Sequence, residues 1–439
     1  MQALTIIIIC CIMVDDYLVR LLSLPSILRF APEALSAVFV VYILFAGTRD
    51  RFRLVAPKYW LAFGALAVVI LCGIVNSNPG VGPVLSGMRF YVRAVPLFFL
   101  PAVYAFTDEQ LKRQLKWVLG FAFLQVPISV YQRWVIQSEG RFSGDDVKGT
   151  MLDSGILSVF LICVVVVLTG LAMRGRIGKI KYAILSLLFL IPTAINETKV
   201  TIFYLPVGLL VAVYVGAAPG KRFRYLGLGV AGLVLFGALF VPIYNMTQQY
   251  NPYKNEKDIT AFFTSEKALE RYMSSDVGGV GTKKDVRRGD SITVPFAYLA
   301  KDPVHLMFGL GMGAVSPSTM GKNYEGAYYQ LFSKFLIISF TFFLLEFGLL
   351  GVILICVLSY LVFADTVAVA RRDKTLVGDL AVGWIAVVIL FVINMAYTIF
   401  HEFMSVTYLY WYFSGLMCAR HMWWVRGGRS ADHSGMRAA

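Results

Sequence analysis

The sequence predicts an all-α, polytopic membrane protein. Hydrophobic residues make up 58% of the 439 residues and charged residues only 15%. The mean hydropathy is +0.71, which lies outside the range of soluble globular proteins. Apolar stretches of about 18 residues or more, enough to cross a hydrocarbon core of about 30 Å, recur along nearly the whole chain. The net charge of +14 therefore indicates membrane orientation, and we predict no nucleic-acid partner.

Clusters of lysine and arginine predict the orientation, because they favour the cytoplasmic side. Such clusters occur at 48–53, 111–116, 174–181, 220–224 and 371–374, and in the tail after Cys418. With all of them in the cytoplasm, both termini are cytoplasmic. The start of the chain lacks a basic region and a cleavage site, so we interpret it as a retained first helix. The predicted spans are about twelve: 3–24, 31–47, 59–77, 87–106, 118–135, 150–173, 181–197, 200–217, 224–244, 347–366, 378–397 and 402–423.

These spans divide the chain into five predicted parts. Residues 328–345 are long enough to cross, but crossing would place Arg371 and Arg372 outside, so we interpret this run as a re-entrant or interfacial helix. The six cysteines lie in apolar segments, which is typical of packing residues. The parts are spans one to nine (1–244), one large outer loop (245–327), the re-entrant helix (328–345), spans ten to twelve (346–424) and a basic tail (425–439).

Several cations oppose the positive-inside tendency. Arg89 and Arg93, in "SGMRFYVRAVPLFF", are one helical turn apart and share a helix face. Arg141 and Lys199 also fall in predicted outer connections. A single such residue can reach the headgroups of the lipid. For Arg89 with Arg93 we favour a site for a membrane-embedded anion, because paired guanidinium groups match phosphate oxygens.

Four motifs carry a resemblance to a known family. They are "RFSGDDVKG" (141–149), "NETKVTIFYLPVGLLVAV" (196–213), "RRGDSITVPFAYLAKDPVHLMFGLGMG" (287–313) and "LLEFGLLG" (344–351). In this order, with one large outer loop late in the chain, they resemble the bacterial O-antigen ligase and polymerase family of glycosyltransferases. The family commonly has Ser-Arg where this chain has Thr198-Lys199.

The resemblance implies a helical GT-C type fold in the bacterial inner membrane. It implies transfer on the periplasmic side from a glycan linked to undecaprenyl diphosphate, with a saccharide or glycolipid acceptor. It implies neither a metal nor another cofactor, and it leaves room for a chain-length regulator or export partners. The predicted diphosphate site consists of Arg141, Lys199 and Arg288 from the resemblance, Arg89 and Arg93 from helical spacing, and also Arg287.

One departure from the family affects the predicted general base. The family has a His-Asn pair a few residues before "E-x-G-L-x-G", whereas residues 334–343, "KFLIISFTFF", contain no histidine. The outer candidates for a base are therefore Glu325, His305, and His401 with Glu402. We favour Glu325, which lies where a longer-spaced equivalent of the missing segment would fall.

Two other functions stay open. A transporter or flippase of lipid-linked saccharides can also have twelve spans, but such folds usually contain repeats, and this sequence shows none. A non-enzymatic subunit of a polysaccharide export assembly would explain the missing histidine. Among enzymes we favour a polymerase of O-antigen, capsule or exopolysaccharide over a ligase.

Overall fold

In the computed structural model, residues 1–49, 52–136, 144–248, 288–318 and 321–427 are described. Within these ranges the regular structure is helical, with no β-strand. Sixteen α-helices follow one another there: α1 Gln2–Leu21, α2 Ala31–Arg49, α3 Pro57–Ser77, α4 Val81–Val92, α5 Pro96–Val103, α6 Asp108–Trp134, α7 Ser154–Met173, α8 Lys179–Ile195, α9 Thr201–Gly216, α10 Arg222–Gln248, α11 Asp290–Leu299, α12 Pro303–Phe308, α13 Tyr329–Phe332, α14 Ser339–Arg372, α15 Leu376–Asn394 and α16 Met404–Val425.

Length and hydropathy confirm the prediction of a helical membrane protein. Six helices among the described residues are long and apolar enough to span a membrane, namely α2, α3, α7, α10, α14 and α15. The other six predicted spans correspond to helices that are shorter or less apolar. The total of twelve therefore stays a prediction, as do the side of each connection and the boundaries of the five parts.

The centre of the bundle is formed by α7 and α15. About four-fifths of each apolar window is buried, whereas only 6% of the corresponding window of α10 is buried. The two central helices approach closely through Gly170 and Gly383: a Cβ atom on Gly170 would lie 2.5 Å from the backbone nitrogen of Gly383. Small residues at such crossings let helix backbones pack tightly within a membrane.

Two helical segments at the site are discontinuous. The predicted span 87–106 is split into α4 and α5, which are separated by a turn at 93–95; α5 begins at Pro96, a residue suited to the first helical turn. Helix α14 is interrupted at Gly348, which has φ 65° and ψ −170°. The predicted re-entrant run 328–345 comprises α13, an irregular segment and the first residues of α14. Whether that run crosses the membrane stays a prediction.

A glycine loop fills the gap beside the break in α14. Gly309, Gly311 and Gly313 all have positive φ, and a Cβ atom on Gly313 would lie 1.9 Å from the carbonyl oxygen of Pro83. The buried carboxylate of Glu346 accepts hydrogen bonds from the backbone N–H of Gly313 (2.9 Å) and Val315 (3.1 Å), and from Ser316 Oγ (2.9 Å). This loop thereby connects α4 to the broken helix α14.

Candidate anion-binding site at the predicted outer end

The candidate site lies at one end of the bundle. Helices α2, α14 and α16 begin at this end and α15 ends there. We call it the predicted outer end, because the distribution of lysine and arginine places it outside. The irregular segment 395–403, which joins α15 to α16, crosses this end and carries two of the site's residues, His401 and Glu402.

Arg89 and Arg93 meet at one carboxylate. Arg89 Nε lies 2.9 Å and Arg93 Nη1 lies 3.0 Å from the same oxygen, Oε1 of Glu33. Glu33 belongs to the first turn of α2, where the helix dipole favours an acidic side chain. Its second oxygen, Oε2, is buried without a hydrogen-bond partner among the described residues. Two guanidinium groups thus share one carboxylate that is itself only partly satisfied.

Arg93 is the more deeply placed of the two cations. It is 7% exposed, and its Nη2 donates to the backbone carbonyl of Glu402. Its Nε is buried without a hydrogen-bond partner in the part of the chain that the structure describes. Arg89 lies over the ring of Phe30, 4.3 Å from the centroid. Burial strengthens the interaction of such cations with an anion because the local dielectric constant is low.

Glu402 places a second carboxyl beside Arg93. It lies in segment 395–403, outside both flanking helices, and its Oε1 is buried without a hydrogen-bond partner in the described ranges. Burial raises the pKa of Glu402 to about 7; Arg93 opposes the increase and the charge of Glu346 adds to it. A carboxyl group with this pKa changes protonation near neutral pH.

His401 is enclosed by neighbouring side chains. Its Nδ1 lies 2.9 Å from Ser339 Oγ, which also accepts the backbone N–H of Phe400 at 2.8 Å. The imidazole stacks on Tyr91, with ring centroids 5.2 Å apart and planes within 6°. Burial, reinforced by Arg93, lowers the pKa of His401 to about 3. At neutral pH the ring is uncharged and accepts a proton poorly.

The other two candidate bases have partners in their own segments. His305 Nδ1 lies 2.9 Å from Asp302 Oδ2, and Asp302 also caps α12 through the backbone N–H of Val304. Glu325 Oε1 accepts a hydrogen bond of 2.7 Å from Gln330 Nε2. The catalytic roles of both residues stay predictions.

Among the cations predicted from the family, Arg288 contacts the segment that carries Glu402. Its guanidinium carbon lies 4.6 Å from the ring centroid of Tyr397, and its Nε lies 3.4 Å from the carbonyl oxygen of Tyr397. Lys199 lies half-buried in the connection between α8 and α9. Arg141 and Arg287 lie outside the described residues.

A second buried ion pair links the last turn of α6 to the connection that carries Lys199. Arg133 Nη2 lies 2.9 Å from Glu197 Oε1, and both side chains are almost inaccessible. Sequence reasoning did not predict this pair. It also overlooked Glu33, although an acid in the first turn of an apolar helix is a signal that could have indicated a role. Glu402 was considered only as a neighbour of His401.

Comparison with known proteins adds no relative. No family model matches the sequence, and no curated protein matches it. The likeness to the O-antigen ligase and polymerase family therefore depends on the four motifs alone.

Proposed function

We propose that this chain is a membrane glycosyltransferase that takes a glycan from an undecaprenyl-diphosphate-linked donor and adds it to a saccharide or glycolipid acceptor at the periplasmic face. A polymerase is favoured over a ligase. The observation that carries the proposal is the meeting of Arg89 and Arg93 at one point at the predicted outer end. Lipid-facing arginines would be costly within a bilayer, whereas these two are turned towards the protein.

A lipid diphosphate suits this arrangement better than the present carboxylate does. Glu33 offers the two arginines a single shared oxygen, whereas a diphosphate carries several oxygens and more negative charge. Guanidinium groups bind such oxygens in pairs. Arg288, which the motifs also place at the diphosphate, contacts the same segment as Glu402.

The chemistry needs such cations because of its leaving group. When the bond between the sugar and the donor phosphate breaks, the diphosphate keeps the electron pair and gains negative charge. Donors that are already in place stabilise this charge without reorganising during the reaction, and removing one such donor typically costs about 10²–10³ in rate. Arg89 and Arg93 would supply this stabilisation from a buried position.

A transporter of lipid-linked saccharides is the second candidate. It is favoured by the breaks between α4 and α5 and at Gly348, because discontinuous helices commonly form substrate sites in transporters. Movement of the intact donor would use the same anion site but would leave the glycan bond intact.

The test is a reaction with the purified protein in lipid nanodiscs. Lipid-linked oligosaccharide is supplied with and without a second saccharide acceptor, and products are resolved by electrophoresis and mass spectrometry. We expect a longer or transferred glycan and released lipid diphosphate. In liposomes, donor movement without bond cleavage would indicate the transporter. Binding with neither outcome would indicate a non-enzymatic subunit.

A further inference from the structure

We propose that Glu402 is the general base that takes the proton of the acceptor hydroxyl, an inference that rests on the proposed glycosyl transfer. Glu402 lies beside the arginine pair in segment 395–403. One of its carboxylate oxygens is buried without a hydrogen-bond partner among the described residues. A buried acceptor that is left unsatisfied is costly, and an acceptor hydroxyl would supply the missing donor.

Arg93 fixes the position of Glu402 relative to the donor site. The same guanidinium group contacts Glu33 through Nη1 and the backbone carbonyl of Glu402 through Nη2. A diphosphate bound at the arginine pair would therefore lie next to the segment that carries the carboxyl group. Proton acceptor and leaving group must flank the reacting carbon in a displacement reaction, and this contact brings their binding groups together.

The surroundings of Glu402 adjust its proton affinity. The charged or titratable groups that act on it are Arg93, Glu346, Tyr329 and Tyr91, and His401 precedes it in the chain. Arg93 favours the charged carboxylate, whereas burial and Glu346 favour the protonated form; the resulting pKa is about 7. A base is most effective when its pKa lies near the working pH.

The candidates predicted from sequence fit this role less well. His401 has its pKa lowered to about 3, so it is a weak base. Glu325 is bonded to Gln330, and His305 is paired with Asp302. Glu402 differs from these three in that its backbone carbonyl accepts a hydrogen bond from Arg93.

The proposed step balances in atoms and charge. Glu402 takes the hydroxyl proton of the acceptor as the acceptor oxygen forms a bond to the anomeric carbon of the donor. The bond from that carbon to the phosphate oxygen breaks, and its electron pair leaves with the lipid diphosphate, held by Arg89 and Arg93. Glu402, now protonated, returns its proton to water.

The experiment compares wild type, Glu402→Gln, Glu402→Asp and Glu109→Gln. Glu109, an exposed carboxylate paired with Lys112 at the start of α6, is the matched control. Transfer is measured as a function of pH and donor binding is measured separately. We expect the wild-type rate to rise as pH passes through about 7 and then to level off. Glu402→Gln should be slower by a factor of about 10²–10⁴. Its rate should no longer rise with pH near 7, and it should still bind the donor.

Glu402→Asp should keep the pH step with part of the rate, and Glu109→Gln should behave as wild type. The inference is overturned if Glu402→Gln keeps the wild-type rate and pH profile, or if donor binding falls in parallel with the rate. A deep loss in Glu325→Gln with none in Glu402→Gln would assign the base to Glu325. If wild type cleaves no donor at all, the proposed function itself fails.

Discussion

The two ends of the bundle treat buried charge differently. At the predicted inner end, Asp365 accepts hydrogen bonds from Lys58 and, at 2.8 Å, from Tyr59, and its Oδ1 lies 2.8 Å from His421 Nδ1. Asp373 is bonded to Arg420 and to the backbone N–H of Thr375. Both oxygens of each carboxylate are therefore occupied. Fully paired carboxylates of this kind are expected of groups that stabilise a fold.

At the predicted outer end the buried charged groups are not fully hydrogen-bonded. Glu33, Arg93 and Glu402 each keep a buried polar atom without a hydrogen-bond partner among the described residues. Unsatisfied buried groups are uncommon in folded proteins and require an explanation. The difference teaches that the number of buried ion pairs does not locate a site. What distinguishes this cluster is that three charged residues, linked to one another through Arg93, each keep such an atom.

The first prediction tests whether the two ends face opposite sides of the membrane. In a cysteine-free background, a cysteine replacing Asp145 should react with an impermeant thiol reagent added from outside, and one replacing Lys374 should not. Both positions are exposed, so access depends on the side alone. The expected result is all or none. Outside labelling at 374 would reverse the orientation of α14 and α15 and would put the inner network outside.

The second prediction removes the outer cations. Replacing Arg89 and Arg93 together by Gln should reduce glycan transfer by about 10³-fold or more, because one lost donor to developing charge already costs about 10²–10³. Arg93→Lys should lose part of the rate, since it keeps the charge without the fork. Donor binding and transfer in nanodiscs are the measurements. Arg113→Gln, which changes an exposed arginine near the start of α6, is the control.

Contradiction would come from a double variant that inserts, binds donor and transfers glycan at the wild-type rate. The arginine pair would then serve only to anchor Glu33, and the two ends of the bundle would have the same structural role.

The third prediction concerns stability at the inner end. Burial raises the pKa of Asp373, but hydrogen bonds from Arg420 and Thr375 outweigh it and hold the pKa below its usual value of 3.8. This group therefore stabilises the fold above about pH 4, and the contribution is lost as pH falls through the lowered pKa. Asp373→Asn leaves Arg420 buried and unpaired, which should cost about 3–5 kcal/mol.

Thermal unfolding in detergent, followed from neutral to acidic pH, measures this effect. The wild-type melting temperature should fall below about pH 4, and that component of the fall should be absent in Asp373→Asn. Donor affinity of the folded variant should match wild type. A variant with wild-type stability would show that the inner pairs are not structural.

The sequence was informative about helices and one-turn spacing, and less so about partners and backbone breaks. Six of the predicted spans coincide with helices that are long and apolar enough to cross a membrane, and the one-turn separation of Arg89 and Arg93 fits their shared contact with Glu33. Glu33 lies 56 residues before Arg89, and Glu402 lies 309 residues after Arg93. Such distant partners are chosen by packing, which a hydropathy pattern does not encode.

The two helix interruptions have sequence signals, a proline and a glycine, that a hydropathy profile does not detect. Pro96 follows Arg93 by three residues and begins α5, yet the window 87–106 is uniformly apolar enough to predict one helix. Gly348 likewise lies within an apolar run. A missing N–H or a positive φ interrupts a helix without changing its hydrophobicity.

The last prediction concerns Glu33, the carboxylate that holds the arginine pair. Its charge competes with any incoming anion, so Glu33→Gln should tighten binding of inorganic diphosphate by about tenfold, or about 1.4 kcal/mol. Two unit charges 4 Å apart interact by about 4 kcal/mol at an effective dielectric constant of 20. The expected gain in binding free energy is smaller than this because the Gln side chain still accepts one hydrogen bond from the arginines. Calorimetric titration in nanodiscs measures it, with Glu109→Gln as control. Weaker binding together with a lower melting temperature would instead make Glu33 a structural counter-ion, equivalent to Asp373 at the inner end.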